Sequence, residues 1–205
     1  MQMGLERIAF FSDAVMAIAI TLLAVDLRVP DIAREAVAQQ LPGALLAMGP
    51  KILSFVLSFA IISIYWFSHH RNFAYIRRYD TRLIVLNLVF LLWVAFLPFV
   101  TDLLGRYGDQ PLPNVLYALD ASALGLTMGA MWSYATRGSR LVDADQAPAI
   151  ARSMSWRVAL ASLVFLASTP LAFVSVQAMQ LSWFAAPLLG ALFSRFGRRQ
   201  TGRKT

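Results

Sequence analysis

Apolar residues fall into six long blocks along the chain, near 7–27, 44–68, 82–103, 113–135, 154–173 and 178–194. Each is close to the ~20 residues a helix needs to cross the hydrocarbon core of a bilayer. The polar stretches between them are short, at 28–43, 69–81, 105–113 and 137–148, as turns between packed antiparallel helices should be. The pattern predicts an all-α integral membrane protein: a single domain of six transmembrane helices over 1–194, followed by a basic tail, RFGRRQTGRKT, over 195–205. Within the second block, Pro50 and Lys51 set off Leu41 to Gly49 as an outer extension kinked at Pro50. Ile52 to Phe67 then crosses the membrane, with Lys51 snorkelling to the outer interface. Pro98 and Pro170 are expected to kink or end their helices. No internal repeat is visible.

Composition supports this reading and removes alternatives. Hydrophobic residues make up 59% and charged residues 14% of the 205, and the mean hydropathy is +0.62. Six or seven helices use up that length, so no soluble domain of useful size fits. Without cysteine there is no disulfide, no thiolate metal site and no cysteine nucleophile. A net charge of +7 could suggest nucleic acid, but the basic residues sort by membrane side instead. Arg7, Arg71, Arg77, Arg78, Arg82, Arg137, Arg140, Arg152, Arg157 and the five of the tail share one side; Arg28, Arg34, Lys51 and Arg106 fall on the other. Positive residues favour the cytoplasm, which places both termini there, as an even number of spans requires. The first block is read as a retained helix and not a signal peptide, because Asp13 interrupts it and no small-residue cleavage site follows Leu23.

That first helix carries Arg7, Asp13 and Asp26, charges that a plain membrane anchor does not need. At about 100° per residue, with Ile18 as zero, Phe11, Leu22 and Val25 fall within about 40° of it and Thr21 near −60°. Ser12 and Asp13 lie near +120° and −140°, on the opposite side. On periodicity alone the stripe is a lipid-facing or packed face. Asp13, if buried, needs donors from neighbouring helices, because an unpaired carboxylate at membrane depth costs about 3 kcal/mol. Tyr65, Trp66, His69, His70 and Asn87 lie at the matching depth, and a polar network among them would fix the stripe's orientation. The histidines could equally be interfacial anchors beside Arg71. They have no clustered ligands for a metal, and adjacent Ser12 and Asp13 point in different directions, which speaks against a catalytic triad and an enzyme. Asp26 could concentrate cations at an outer mouth or pair with Arg28. Asp102 and Asp120 sit near outer helix ends, and Trp132, Tyr134 and Trp156 are interfacial aromatics. A secondary transporter would show paired midplane acids and repeats, and neither is visible.

Arg7, Phe11, Ser12 and Asp13 match an RxxxFSD motif, and with AIAITLL, the YWxxHH end of the second block and LNLVFLLWVAFLPF in the third, the first half of the chain resembles the transmembrane protein 175 family of potassium channels. The resemblance implies a homotetramer of six-helix subunits in the cell membrane. Four first helices would line the pore, in place of a TVGYG carbonyl filter, which this sequence lacks. It implies apolar rings at Ile18, Leu22 and Val25, the last a position where relatives commonly carry leucine, so that ring would be wider. It also implies a pore-lining hydroxyl at Thr21, none at Ala17, and a structural network of Arg7, Phe11, Ser12, Asp13, Trp66, His69, His70 and Asn87. No cofactor is implied; the partners would be K+ and other monovalent cations, lipids and further copies of the chain. A ring of branched aliphatic side chains offers no ligand to replace water, so the more weakly hydrated potassium should pass more easily than sodium, with modest selectivity, and the ring could close by dewetting. The alternatives are a proton-permeable channel and a secondary transporter.

Overall fold

The computed structural model describes residues 2–144 and 161–183, and the regular elements there are helices, apart from one isolated β-bridge. Helix α1 spans Gln2–Val25. A 3-10 turn at Arg34–Ala36 leads into α2, Val37–Ala47. Then come α3, Gly49–Phe73, α4, Thr81–Tyr107, and α5, Pro111–Thr136. Finally α6, Ala161–Phe173, ends in a 3-10 stretch from Thr169, and α7 is Val176–Trp183. Four helices, α1, α3, α4 and α5, are long and apolar enough to cross a membrane. Helices α6 and α7 are the described parts of the fifth and sixth blocks; the rest of those blocks, Trp156, Arg152, Arg157 and the basic tail lie outside the described residues.

The second block differs from expectation at Pro50. The chain breaks at Met48, and Pro50 stands in the first turn of α3, where a missing N–H removes no helical hydrogen bond and the fixed φ suits a helix start. Pro50 therefore begins a helix and does not kink one. The stretch expected to be a polar connection at 28–43 already holds the start of α2, and α3 continues through His69 and His70 to Phe73, into the stretch expected to be a loop. Pro98 does not end α4. Proline is tolerated inside a membrane helix when neighbours meet the disturbed backbone. Pro170 does mark an ending, the 3-10 turn that closes α6.

Helix α4 is the centre of the bundle, with α1, α3 and α5 packed on it. Its buried face runs through Leu83, Phe90, Leu91, Val94, Leu97, Val100 and Leu104. Midway along, Ser58 of α3 bonds both Thr101 of α4, at 2.7 Å, and Tyr117 of α5, at 2.9 Å, tying three helices with neutral hydroxyls. At the end where α1 begins, the α3–α4 loop and the segment after α5 clasp each other through the Arg77 amide and the Leu141 carbonyl at 2.8 Å and a half-exposed Arg77–Asp143 ion pair at 3.2 Å. Asp80 caps α4 by accepting from the Leu83 amide at 2.9 Å, and its second oxygen accepts from the Tyr134 hydroxyl. The Tyr134 hydroxyl is the chief reason the Asp80 carboxyl is held below its usual range.

Candidate pore-lining helix and its anchor

Ser12, Met16, Ala19 and Leu23 recur at i, i+4, i+7 and i+11 and are buried. They form an arc centred about 130° from Ile18, and they seat α1 on α4 and α3. On the opposite side Ile18, Leu22 and Val25 are 59%, 46% and 60% exposed in the single chain. Phe11, Ala14, Ala17 and Thr21 are exposed with them. The Thr21 hydroxyl donates to the Ile18 carbonyl at 2.8 Å, which commits its proton to the helix but leaves its oxygen lone pairs facing the exposed side.

The anchor is polar. Asn87 of α4 donates its amide to Ser12 Oγ at 2.9 Å, and Ser12 also donates to the Ile8 carbonyl at 2.8 Å. Asn87 Oδ1 lies 2.8 Å from His69 Nε2; an amide oxygen only accepts, so that nitrogen carries the proton. The His69 ring is buried, stacked on Phe73 at 4.2 Å and near-parallel to Phe90 at 5.7 Å. Helices α1, α3 and α4 are thereby joined through one asparagine. His69, and not His70, is the histidine brought to Ser12.

Asp13 stands apart from this cluster. It is half-buried and not buried, and its donor is Trp66 Nε1 at 2.9 Å. His70 is exposed and stacks on Trp66 at 5.7 Å. Six of the eight residues of the implied network therefore fall into two groups, Ser12–Asn87–His69 inside and Asp13–Trp66–His70 at the surface. Arg7 and Phe11 are exposed, and Arg7 has no hydrogen bond or ion pair among the described residues. Ser12 meets Asn87 and no histidine, so these groups offer no nucleophile–base pair. No cluster of three or more His, Asp or Glu that could hold a metal occurs among the described residues.

Asp26, half-buried at the far end of α1, makes no side-chain pair with Arg28; only the Arg28 amide reaches the Asp26 carbonyl, at 3.0 Å. It borders a cavity of about 10 Å³ shared with Lys51, Ser54, Thr101 and Asp102, room for about one water. Asp102 is instead ion-paired with Arg106 at 2.7 Å. Asp120, expected near an outer end, is buried within the bundle. Met16, Ala19 and Leu23 were not singled out from the sequence, although their spacing with Ser12 is the signal of a packed face.

A family model described as endosomal/lysosomal potassium channel TMEM175 matches residues 7–98. A potassium channel of Streptomyces collinus is 38% identical over 177 residues, covering 82% of this chain and 82% of that protein. The chain belongs to the TMEM175 family. The crystal structure of a lysosomal potassium-selective channel TMEM175 homolog from Chamaesiphon minutus aligns with a TM-score of 0.77 at 30% identity, covering 93% of this chain and 98% of that one. The human endosomal/lysosomal proton channel TMEM175 is 36% identical over 111 residues, which are 52% of this chain and 22% of the human protein. The family match runs from Arg7 within α1 to Pro98 within α4, so the stretch that defines the family is the stretch that holds the anchored helix.

Proposed function

We propose that the chain is one subunit of a potassium channel in the cell membrane, a homotetramer in which four copies of α1 line the pore. The observation that carries this is the two-sided α1: one face fixed to α3 and α4 by packing and the Asn87 cluster, the other an exposed row of Ile18, Leu22 and Val25. One pore helix per subunit requires several subunits about an axis. The names of the bacterial relatives support potassium as the ion. Each subunit has six spans with both termini in the cytoplasm, so α1 runs outward and Asp26 stands at the outer mouth.

In this reading the rings of Ile18, Leu22 and Val25 are the constriction. They offer a cation no oxygen, so it sheds part of its water to pass, and potassium, which holds water less tightly than sodium, is modestly favoured. With no ion present the same rings dewet and close the path. Thr21, one residue before Leu22, presents an oxygen to a passing ion. Substituting Ile18 with asparagine should supply oxygen ligands, hydrate the ring and raise sodium permeation relative to potassium. Reversal potentials under potassium and sodium gradients read this directly, and unchanged values would refute the assignment. A second reading, proton permeation, is favoured by the name of the human relative; acidification of vesicles loaded with a pH dye, with potassium clamped, separates the two.

A further inference from the structure

Asp120 is the one acid among the described residues that is fully buried, at 2% exposure, and neither of its carboxyl oxygens has a hydrogen-bond partner there. It lies in the spanning stretch of α5, one turn from Tyr117 and one from Leu124. The titratable groups that face it closely enough to feel its charge are Tyr65 of α3 and Tyr117 of its own helix. Both hydroxyls are already engaged, Tyr117 with Ser58 at 2.9 Å and Tyr65 with Ser162 of α6. Among the described residues, α4, α6 and α7 bring no charged group to it. Tyr117, one turn before it, meets the Ser58 hydroxyl at 2.9 Å, the stacked ring of Trp183 at 5.3 Å and the tilted ring of Phe165 at 6.5 Å.

A carboxylate stays ionised when water, hydrogen-bond donors or an opposite charge stabilise it. Among the described residues neither Asp120 oxygen meets a hydrogen-bond donor and no positive charge faces it, whereas a protonated carboxyl is neutral and buries as an ordinary polar group. A divalent metal would need further ligands, and no cluster of three or more His, Asp or Glu stands with it among the described residues. We propose that Asp120 is a proton-binding site inside each subunit, set apart from the α1 face and occupied at neutral pH. Release of that proton leaves an unpaired charge between α3, α5 and α6, so deprotonation and entry of water into the bundle occur as one event. The site is thus a proton-dependent brace for the scaffold that holds α1.

The test uses the full chain in lipid nanodiscs, with the aspartate carboxyls isotopically labelled. Infrared spectra at neutral pH should show the C=O stretch of a protonated, weakly hydrogen-bonded carboxyl that moves with the label. The band should vanish in Asp120→Asn and persist in Asp13→Asn. It should also disappear as the pH is raised, at the upper end of the range over which the wild-type melting temperature falls. Absence of any protonated aspartate band in the unmutated protein at neutral pH would overturn the proposal, and this reading needs no variant to fold. A band that survives in Asp120→Asn, or that titrates away with no loss of stability, would overturn it too.

Discussion

If Asn87 is the joint between α1, α3 and α4, removing it should cost more than removing the charge of Asp13. Asn87→Ala deletes two interhelical hydrogen bonds, to Ser12 at 2.9 Å and His69 at 2.8 Å. Each such bond in a membrane bundle is worth about 0.6 kcal/mol on average, with a ceiling near ~1.7. The substitution also leaves the His69 N–H buried and unpaired, a further cost of about 1–3 kcal/mol. The expected loss is about 2–6 kcal/mol. Asp13→Ala removes one bond, from a Trp66 that is itself exposed, and should cost about 0.5–1.5 kcal/mol. Ser12→Ala keeps His69 satisfied and should fall near ~1 kcal/mol. The assay is a double-mutant cycle on Ser12 and Asn87 read by reversible unfolding in mixed micelles, with Asp13→Ala alongside. The cycle should return a coupling of about 0.6–1.7 kcal/mol. A coupling indistinguishable from zero, or an Asp13→Ala cost above that of Asn87→Ala, would refute the anchor as described.

Three further outcomes follow from other parts of the molecule. Gly125→Ala should destabilise by about 1–3 kcal/mol: a Cβ there would stand 2.7 Å from the Tyr65 hydroxyl and 3.1 Å from Ser162 Cβ, and thermal melting checks it, with Gly129→Ala, which meets open space, as control. Asp80 has a folded pKa below that of the unfolded chain, so its contribution to stability is fully present above an unfolded value of about 3.9. It is lost as the pH falls through the lower folded value. Tyr134→Phe removes the leading cause of that shift, so the acid-side fall in melting temperature should become shallower; an unchanged profile would sink the explanation. Asp102→Asn breaks a half-exposed i,i+4 pair with Arg106 and should change stability by no more than about 0.5 kcal/mol, which the same melting assay resolves.

The long apolar blocks were legible because crossing a bilayer demands length and hydropathy at once, and α1, α3, α4 and α5 satisfy both without help from packing. The sides of α1 were legible for a related reason: a helix advances by a fixed angle, so Ser12 and Ile18 face apart whatever surrounds them. Depth and partner choice were not. Asp13 carries the charge and so drew attention, yet a charge is the group a bundle tends to leave at its edge, where Trp66 and solvent share it. The interior joint went to Ser12, Asn87 and His69, neutral groups that satisfy one another without a counter-ion. Asp120 breaks that rule from inside α5, and its position could not be read from periodicity because α5 buries residues around much of its circumference, from Asn114 to Ala135. A helix wrapped by α3, α4, α6 and α7 has no polar face to betray which of its residues lacks water. The one acid there is therefore visible only once the neighbours are in place, and its neutrality follows from them and not from its own sequence context.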